Sequence, residues 1–423
     1  MGWRSFLTRR IESALSTVTD LRGDGRGRVL LTVAIGWLFA LGTRMVLPAL
    51  LPQIKVEFTM GNALAGGLLT VLYIAYAATQ FPAGILADRI GERRTLFASV
   101  LLTALGAVAL TIAPSLTVFI AGTVLFALGS GLYGAPRVTV LSRIYPDRDG
   151  TALGLTFAAG NVGSSLLPII AGVLAVVVGW RFGFGFVVLP LVVVAVAVWW
   201  FVPERTVRDR TQEHGETTQL REALFTPQIG LAWVSMSLVL VAYQGITAFL
   251  PTYFVEVKGL GAAVASTLFG LFFAAGAIWQ WTAGVTADRM GAQRTLVGIG
   301  VVATVTVLVL PFMGGLVPLA LLSLLLGIRL GFGPLNNAYV ASALPEDVRG
   351  SGLGLFRSLQ LLVSSVGSLI VGVMADAGWF DAAFLLLGGI TGLGTVGYVL
   401  LPDLETDASD DTTSVVATDP DMD

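Results

Sequence analysis

Four arginines stand inside long apolar runs: Arg44, Arg137, Arg329 and Arg357. An arginine near the centre of a bilayer costs at least about 2.5–3.5 kcal/mol, so it usually faces a cavity or a partner. Arg44 lies in Gly42-Thr43-Arg44-Met45-Val46-Leu47-Pro48, Arg137 follows Pro136, and Arg329 sits near the middle of its run. Arg357 is close enough to the end of its run to snorkel to the interface. No Asp or Glu lies mid-run: Glu57, Glu256, Asp376 and Asp381 fall at one set of ends, Asp88 and Asp288 at the other. Such arginines lack an internal counter-ion. A guanidinium binds carboxylate or phosphate through two parallel hydrogen bonds, so an anionic solute would supply one. The alternative is that each arginine bonds carbonyls freed near Pro48, Pro136 and Pro334, or an Asn or Gln. At about 1.5 Å per residue, Arg44 is roughly 24 Å from the start of its run, whereas Arg137 is about 8 Å from the end of its own. Depth therefore predicts that the two meet a solute at different stages.

Neutral polar residues in the same runs complete the candidate site: Tyr73, Tyr76, Asn161, Tyr243, Gln244, Asn336, Asn337 and Gln360. Gln244 stands 200 residues after Arg44 and is expected to face it. Each of these equally suits a hydrogen bond between helices. Other chemistry is poorly supplied. There is no Cys, and the single His, His214, lies in a polar stretch. With no nucleophile–base set, metal cluster or nucleotide motif, neither an enzyme, a cofactor nor a nucleic-acid partner is expected.

One charged stretch occurs twice. Gln80–Leu96 and Gln280–Leu296 share ten identities in 17 positions without a gap. The first copy contains Gly84, Asp88, Arg89, Gly91, Arg93 and Arg94; the second contains Gly284, Asp288, Arg289, Gly291 and Arg294. Gly84 and Gly284 would let helices approach closely. Gly91 and Gly291 suit a turn with positive φ. Asp88 is placed to pair with Arg89, Arg93 or Arg94, or to face a helix N-terminus. By itself this is a charged turn that fixes topology.

The elements holding these residues follow from hydropathy. The 423 residues are 55% hydrophobic and 12% charged, against about 25% charged in a soluble domain. A spanning helix needs about 20 mostly apolar residues. Twelve runs qualify: 29–51, 63–87, 95–113, 116–142, 152–178, 182–201, 229–255, 262–287, 295–313, 317–343, 352–374 and 380–401. The expected fold is an all-α membrane protein. A cytoplasmic N-terminal segment, 1–28, precedes a six-helix bundle, 29–201. Linker 202–227 leads to a second bundle, 228–401, and an acidic tail, 402–423. Trp3, Phe6, Leu7, Ile11 and Leu15, interleaved with Arg4, Arg9 and Arg10, suit either a helix on the membrane surface or a basic leader. With the N-terminus inside, eighteen arginines lie in inner segments, while outer loops hold Lys55, Arg181 and Lys258. The charge bias therefore places both termini in the cytoplasm.

The duplication extends further. Gly150, Leu153, Gly154 and Leu155 recur as Gly350, Leu353, Gly354 and Leu355, and Ser164, Ser165 and Gly172 as Ser364, Ser365 and Gly372. Repeats of this kind mark secondary transporters. The stretch G-x-x-x-D-R-x-G-x-R-R at 84–94, between the second and third runs, resembles the signature of the major facilitator superfamily. Gly284–Arg294 resembles its degenerate second copy, and Gly179-Trp180-Arg181 is also common there. The resemblance covers roughly 28–401. It implies two pseudo-symmetric bundles that rock about a midplane cavity, lined by the first and fourth helices of each half. It also implies that the Asp88 loop gates the inner side. A single chain in the plasma membrane, needing only lipid and a small-molecule substrate, is the form implied. The arginine in the first run resembles the organic-anion and sugar-phosphate branches. Gly160-Asn161-Val162-Gly163 resembles nitrate porters, but the run at 356–360 lacks the matching glycines. The Gly-Pro of drug exporters is absent, since Leu167 precedes Pro168. Three readings follow: an organic-anion transporter first, then an exporter of drug-like compounds, then a transporter-like sensor.

Overall fold

A computed structural model describes residues 25–204, 226–344 and 349–401. The proposed surface helix near Trp3, most of the linker and the acidic tail lie outside the described residues. A lipid-facing backbone has no water to bond, so every polar group must be satisfied within the segment. The described residues accordingly form twelve helices long and apolar enough to cross a membrane. They are α1 (Arg26–Glu57), α2 (Asn62–Ile90), α3 (Glu92–Ile112), α4 (Leu116–Ile144), α5 (Asp149–Val177) and α6 (Phe182–Phe201). After the linker come α7 (Pro227–Glu256), α8 (Ala262–Met290), α9 (Ala292–Phe312), α10 (Leu316–Ala343), α11 (Phe356–Asp376) and α12 (Phe380–Val399). Pro227 opens α7, and Thr226 accepts from the Ile229 N–H at 3.4 Å. Proline is tolerated there because its missing N–H would be an orphan anyway. Large apolar side chains such as Trp200, Leu189 and Phe312 are 77%, 72% and 74% exposed. Exposure on that scale suits lipid rather than water. This is a multi-pass membrane protein.

Hydropathy underestimates α1, which runs on through Pro48 and Pro52 to Glu57. An apolar window stops at the first charge, but Lys55 is buried within the helix and its Nζ lies 2.5 Å from Glu256 of α7. Within the first half α1 packs on α5, and within the second α7 packs on α11. The halves meet along α2–α11, α5–α8 and α1–α7. At the Lys55 end this interface is tightly closed. Lys55 also donates to Asn62 Oδ1. The Asp376 carboxylate at the end of α11 accepts from the backbone N–H of Asn62 at 2.5 Å and of Ala63 at 2.8 Å. A carboxylate on the first turn of a helix satisfies orphan donors and the helix dipole together. Deeper in, Thr70 Oγ1 bonds Ser365 O at 3.0 Å, and Ser165 Oγ bonds Gly270 O at 2.9 Å.

The opposite, Asp88 end differs. A β-carbon at Gly84 would meet only Ala135 of its own half, at 4.0 Å, and one at Gly284 would meet nothing within 4 Å. The close approach expected at these two glycines is therefore not made, because the halves lean together at the Lys55 end.

Candidate functional site

The fourth helix of each half is interrupted close to its arginine, at Arg329 itself in α10 and a turn before Arg137 in α4. In α4 the regular turns run over Leu116–Gly131 and resume at Gly134–Ile144. Tyr133, in the break, donates its hydroxyl to Val33 O of α1 at 3.0 Å. In α10 a 3₁₀ stretch, Gly327–Gly331, replaces the α-helix and carries Arg329 at its centre. Irregular backbone at membrane depth is tolerated where protein or a cavity covers it.

Arg137 and Arg329, each 3% exposed, are tied into their own halves. Arg137 Nη1 donates to Thr156 Oγ1 of α5 at 2.5 Å. Its guanidinium lies 4.2 Å from the Trp37 ring centre and 4.7 Å from that of Phe157. Arg329 donates to Thr391 Oγ1 of α12 at 3.1 Å and to Val239 O of α7 at 3.2 Å. Arg329 thus does bond a backbone carbonyl, though one on another helix rather than near Pro334. Arg44 is held differently. Its guanidinium lies 4.2 Å from the Tyr76 ring centre and 5.9 Å from that of Tyr73. No hydrogen bond or ion pair joins it to a described residue, and its Nε is buried without a partner.

The aromatic residues link these charges. Tyr243 of α7 is within electrostatic reach of Arg44, Arg329 and Tyr73. Tyr76 contacts Arg44 and is within reach of Arg137, which also feels Arg357. Arg357 is exposed on α11, within electrostatic reach of Arg137. No ion pair joins any of the four arginines to a described carboxylate. The arrangement concentrates positive charge across the interface between the halves, where a low local dielectric strengthens attraction for an anion.

The remaining candidates divide. Asn161 of α5 donates to Gln280 of α8 at 3.0 Å, across the halves. Asn336 accepts from the Tyr398 hydroxyl at 3.0 Å, within the second half, while Asn337 is exposed. Gln244 is buried, and its neighbour Tyr243 lies within electrostatic reach of Arg44. Gln360 is 3% exposed with its Nε2 unpartnered. Sequence reasoning passed over Trp37, Thr156 and Thr391. Trp37 was detectable: seven residues before Arg44, it shares that helix face. The two threonines carry no comparable signal.

In the repeated loops Gly91 and Gly291 have φ of 93° and 87°, the region glycine occupies without strain. Asp88, Arg89, Asp288 and Arg289 are exposed at the ends of α2 and α8. Arg93 and Arg94, two of the partners offered for Asp88, reach Glu204 beyond α6 at 2.6 and 2.8 Å. Arg93 also lies 4.9 Å from the Trp199 ring centre. Gln293, the counterpart of Arg93, bonds Tyr398 O at 3.0 Å. Both loops thus lean on the last helix of their half. Arg294 is exposed.

Twelve spans in two related sets, with this loop at both equivalent positions, narrow the family. The sequence model of the Major Facilitator Superfamily matches residues 32–368. The chain belongs to the major facilitator superfamily. Relatives within it include the membrane sensor protein UhpC of Escherichia coli, 25% identical over 90% of this chain and 92% of that protein. The hexuronate transporter of Bacillus subtilis is 24% identical over 82% and 87%. The cis,cis-muconate transport protein of Acinetobacter baylyi is 24% identical over 81% and 86%. The fold matches the crystal structure of the D-xylose-proton symporter with a TM-score of 0.75, at 15% identity over 89% of this chain and 98% of that one. The transporters among these relatives and neighbours move small solutes and are not enzymes.

Proposed function

We propose that this chain is a transporter of small organic anions, working by alternating access from the plasma membrane with both termini in the cytoplasm. The observation that carries the reading is Arg44: a half-buried cation held against tyrosine rings, with no hydrogen bond or ion pair to any described residue. A bound carboxylate would take up its free N–H groups. Arg137, Arg329 and Arg357 add to the attraction without a described carboxylate to offset it. That two relatives bear the names of hexuronate and muconate carriers supports the same class. Both half-sites lie in one chain, so a monomer suffices. Uptake into proteoliposomes tests the reading. Accumulation of a radiolabelled organic anion, competed by other organic anions and not by cationic drugs, is the expected outcome. Drug efflux without anion competition would favour an exporter, and saturable binding without flux a sensor.

The closed Lys55 end and the unfilled space at Gly84 suit a state open toward the Asp88 side. In the alternate state Gly84 and Gly284 would be packed and the Asp88 loop would hold the inner gate. Asp88→Asn should then slow uptake severalfold while protein yield and melting temperature stay level. Asp288→Asn should be milder, since Gln293 replaces one arginine in its loop. Parental turnover in Asp88→Asn would reduce the loop to a topology signal.

A further inference from the structure

The ring content around Arg44 says more about the solute than its charge does. Resting on the anion reading, we propose that the body of the substrate is flat and unsaturated: an aromatic or conjugated carboxylate rather than a polyhydroxy acid.

Arg44 lies 4.2 Å over the Tyr76 ring centre and bonds no described residue, so its N–H groups stay free for a carboxylate. Carbon attached to that carboxylate would lie against rings from both halves. Tyr73 and Tyr76 come from α2. Tyr243 comes from α7 and lies 6.4 Å from Phe272 of α8. Behind it Phe272 stacks on Phe269 at 6.3 Å with 5° between planes and meets Phe273 at 4.7 Å, a buried aromatic backing to the tyrosines. Toward the Asp88 side, Trp37 stacks on Tyr133 at 6.2 Å and covers Arg137. Several of the amides that could read a hydroxylated body already bond one another or a tyrosine. Asn161 and Gln280 bond each other, and Asn336 bonds Tyr398. Buried amides that must break such bonds discriminate against a ligand that fails to replace them in full. Flat π-systems need no such replacement, because offset or edge-on contact with rings is favourable in itself. A cation over a ring also polarises that ring toward a second aromatic partner.

Binding to the purified full-length chain in detergent tests this with three acids of like charge. Benzoate and cyclohexanecarboxylate match in size and differ in flatness; galacturonate offers hydroxyls. Benzoate should bind about threefold to tenfold tighter than cyclohexanecarboxylate, the range one or two ring contacts supply, and tighter still than galacturonate. Tyr76→Leu should bring the benzoate-to-cyclohexanecarboxylate ratio close to one while both still bind. Tyr76→Phe should keep the preference, which separates loss of the ring from a folding defect. Equal binding of the two matched acids in the parent, or tightest binding of galacturonate, overturns the flat-body proposal and leaves the anion reading intact. If none of the three binds the parent, the anion reading fails and this proposal fails with it.

Discussion

Arg44→Gln is expected to lower organic-anion affinity more than a hundredfold while the protein still inserts and melts near the parental temperature. Removing one partner of a buried charge pair costs about 3–5 kcal/mol, and each 1.4 kcal/mol is a factor of ten in Kd. The loss falls on binding because Arg44 contributes little to the folded state: it touches rings and bonds no described residue. Arg44→Lys keeps the charge but loses the planar fork, so about a tenfold loss is expected. Arg137→Gln supplies the contrast. It removes the bond to Thr156 and the cation over Trp37, both inside the first half. Its melting temperature should fall along with its affinity. Titration of one organic anion into the three variants, with a melt of each, separates the roles. Full affinity in Arg44→Gln would make Arg44 structural and strengthen the drug-exporter reading.

Much of this architecture was legible because membranes constrain sequence strongly. Twelve apolar runs gave twelve spans, and the duplicated loop located both turns, including their positive-φ glycines. The misses have physical causes. Lys55 was assigned to a loop because a hydropathy window cannot see Glu256, 201 residues away, which neutralises it inside α1. The ion pairs of Arg93 and Arg94 with Glu204 had no sequence signal, because Glu204, past the end of α6, lies 111 residues from Arg93. Trp37 and Thr156 were missed because an apolar or small residue in a span is usually packing. Only the arrangement around Arg137 distinguishes them.

Gly66→Val is expected to abolish transport by a different route, holding the Lys55 end open. The seal between halves rests on small residues where α2 crosses α11. A β-carbon at Gly66 would lie 2.5 Å from Ser368 O and 3.2 Å from the Gly372 Cα, and one at Gly372 would lie 2.4 Å from Asn62 O. Small residues four apart on facing helices let backbones meet this closely. Valine cannot fit, and backbone at such distances cannot yield locally, so the helices must separate. Separation withdraws Asp376 from the N–H groups of Asn62 and Ala63 and parts Lys55 from Glu256. Each half keeps its own packing of α1 on α5 and α7 on α11, so yield should hold while uptake drops to a few per cent or less. The chain has no cysteine, which makes one reporter thiol unambiguous. Ser266→Cys suits: Ser266 is fully buried on α8, bonding Ala49 O of the first half at 3.3 Å. In an otherwise parental chain that thiol should resist a maleimide; with Gly66→Val it should label rapidly. Continued protection together with normal uptake would show that the α2–α11 crossing is a fixed joint, and the moving seal would then have to lie along α5 and α8.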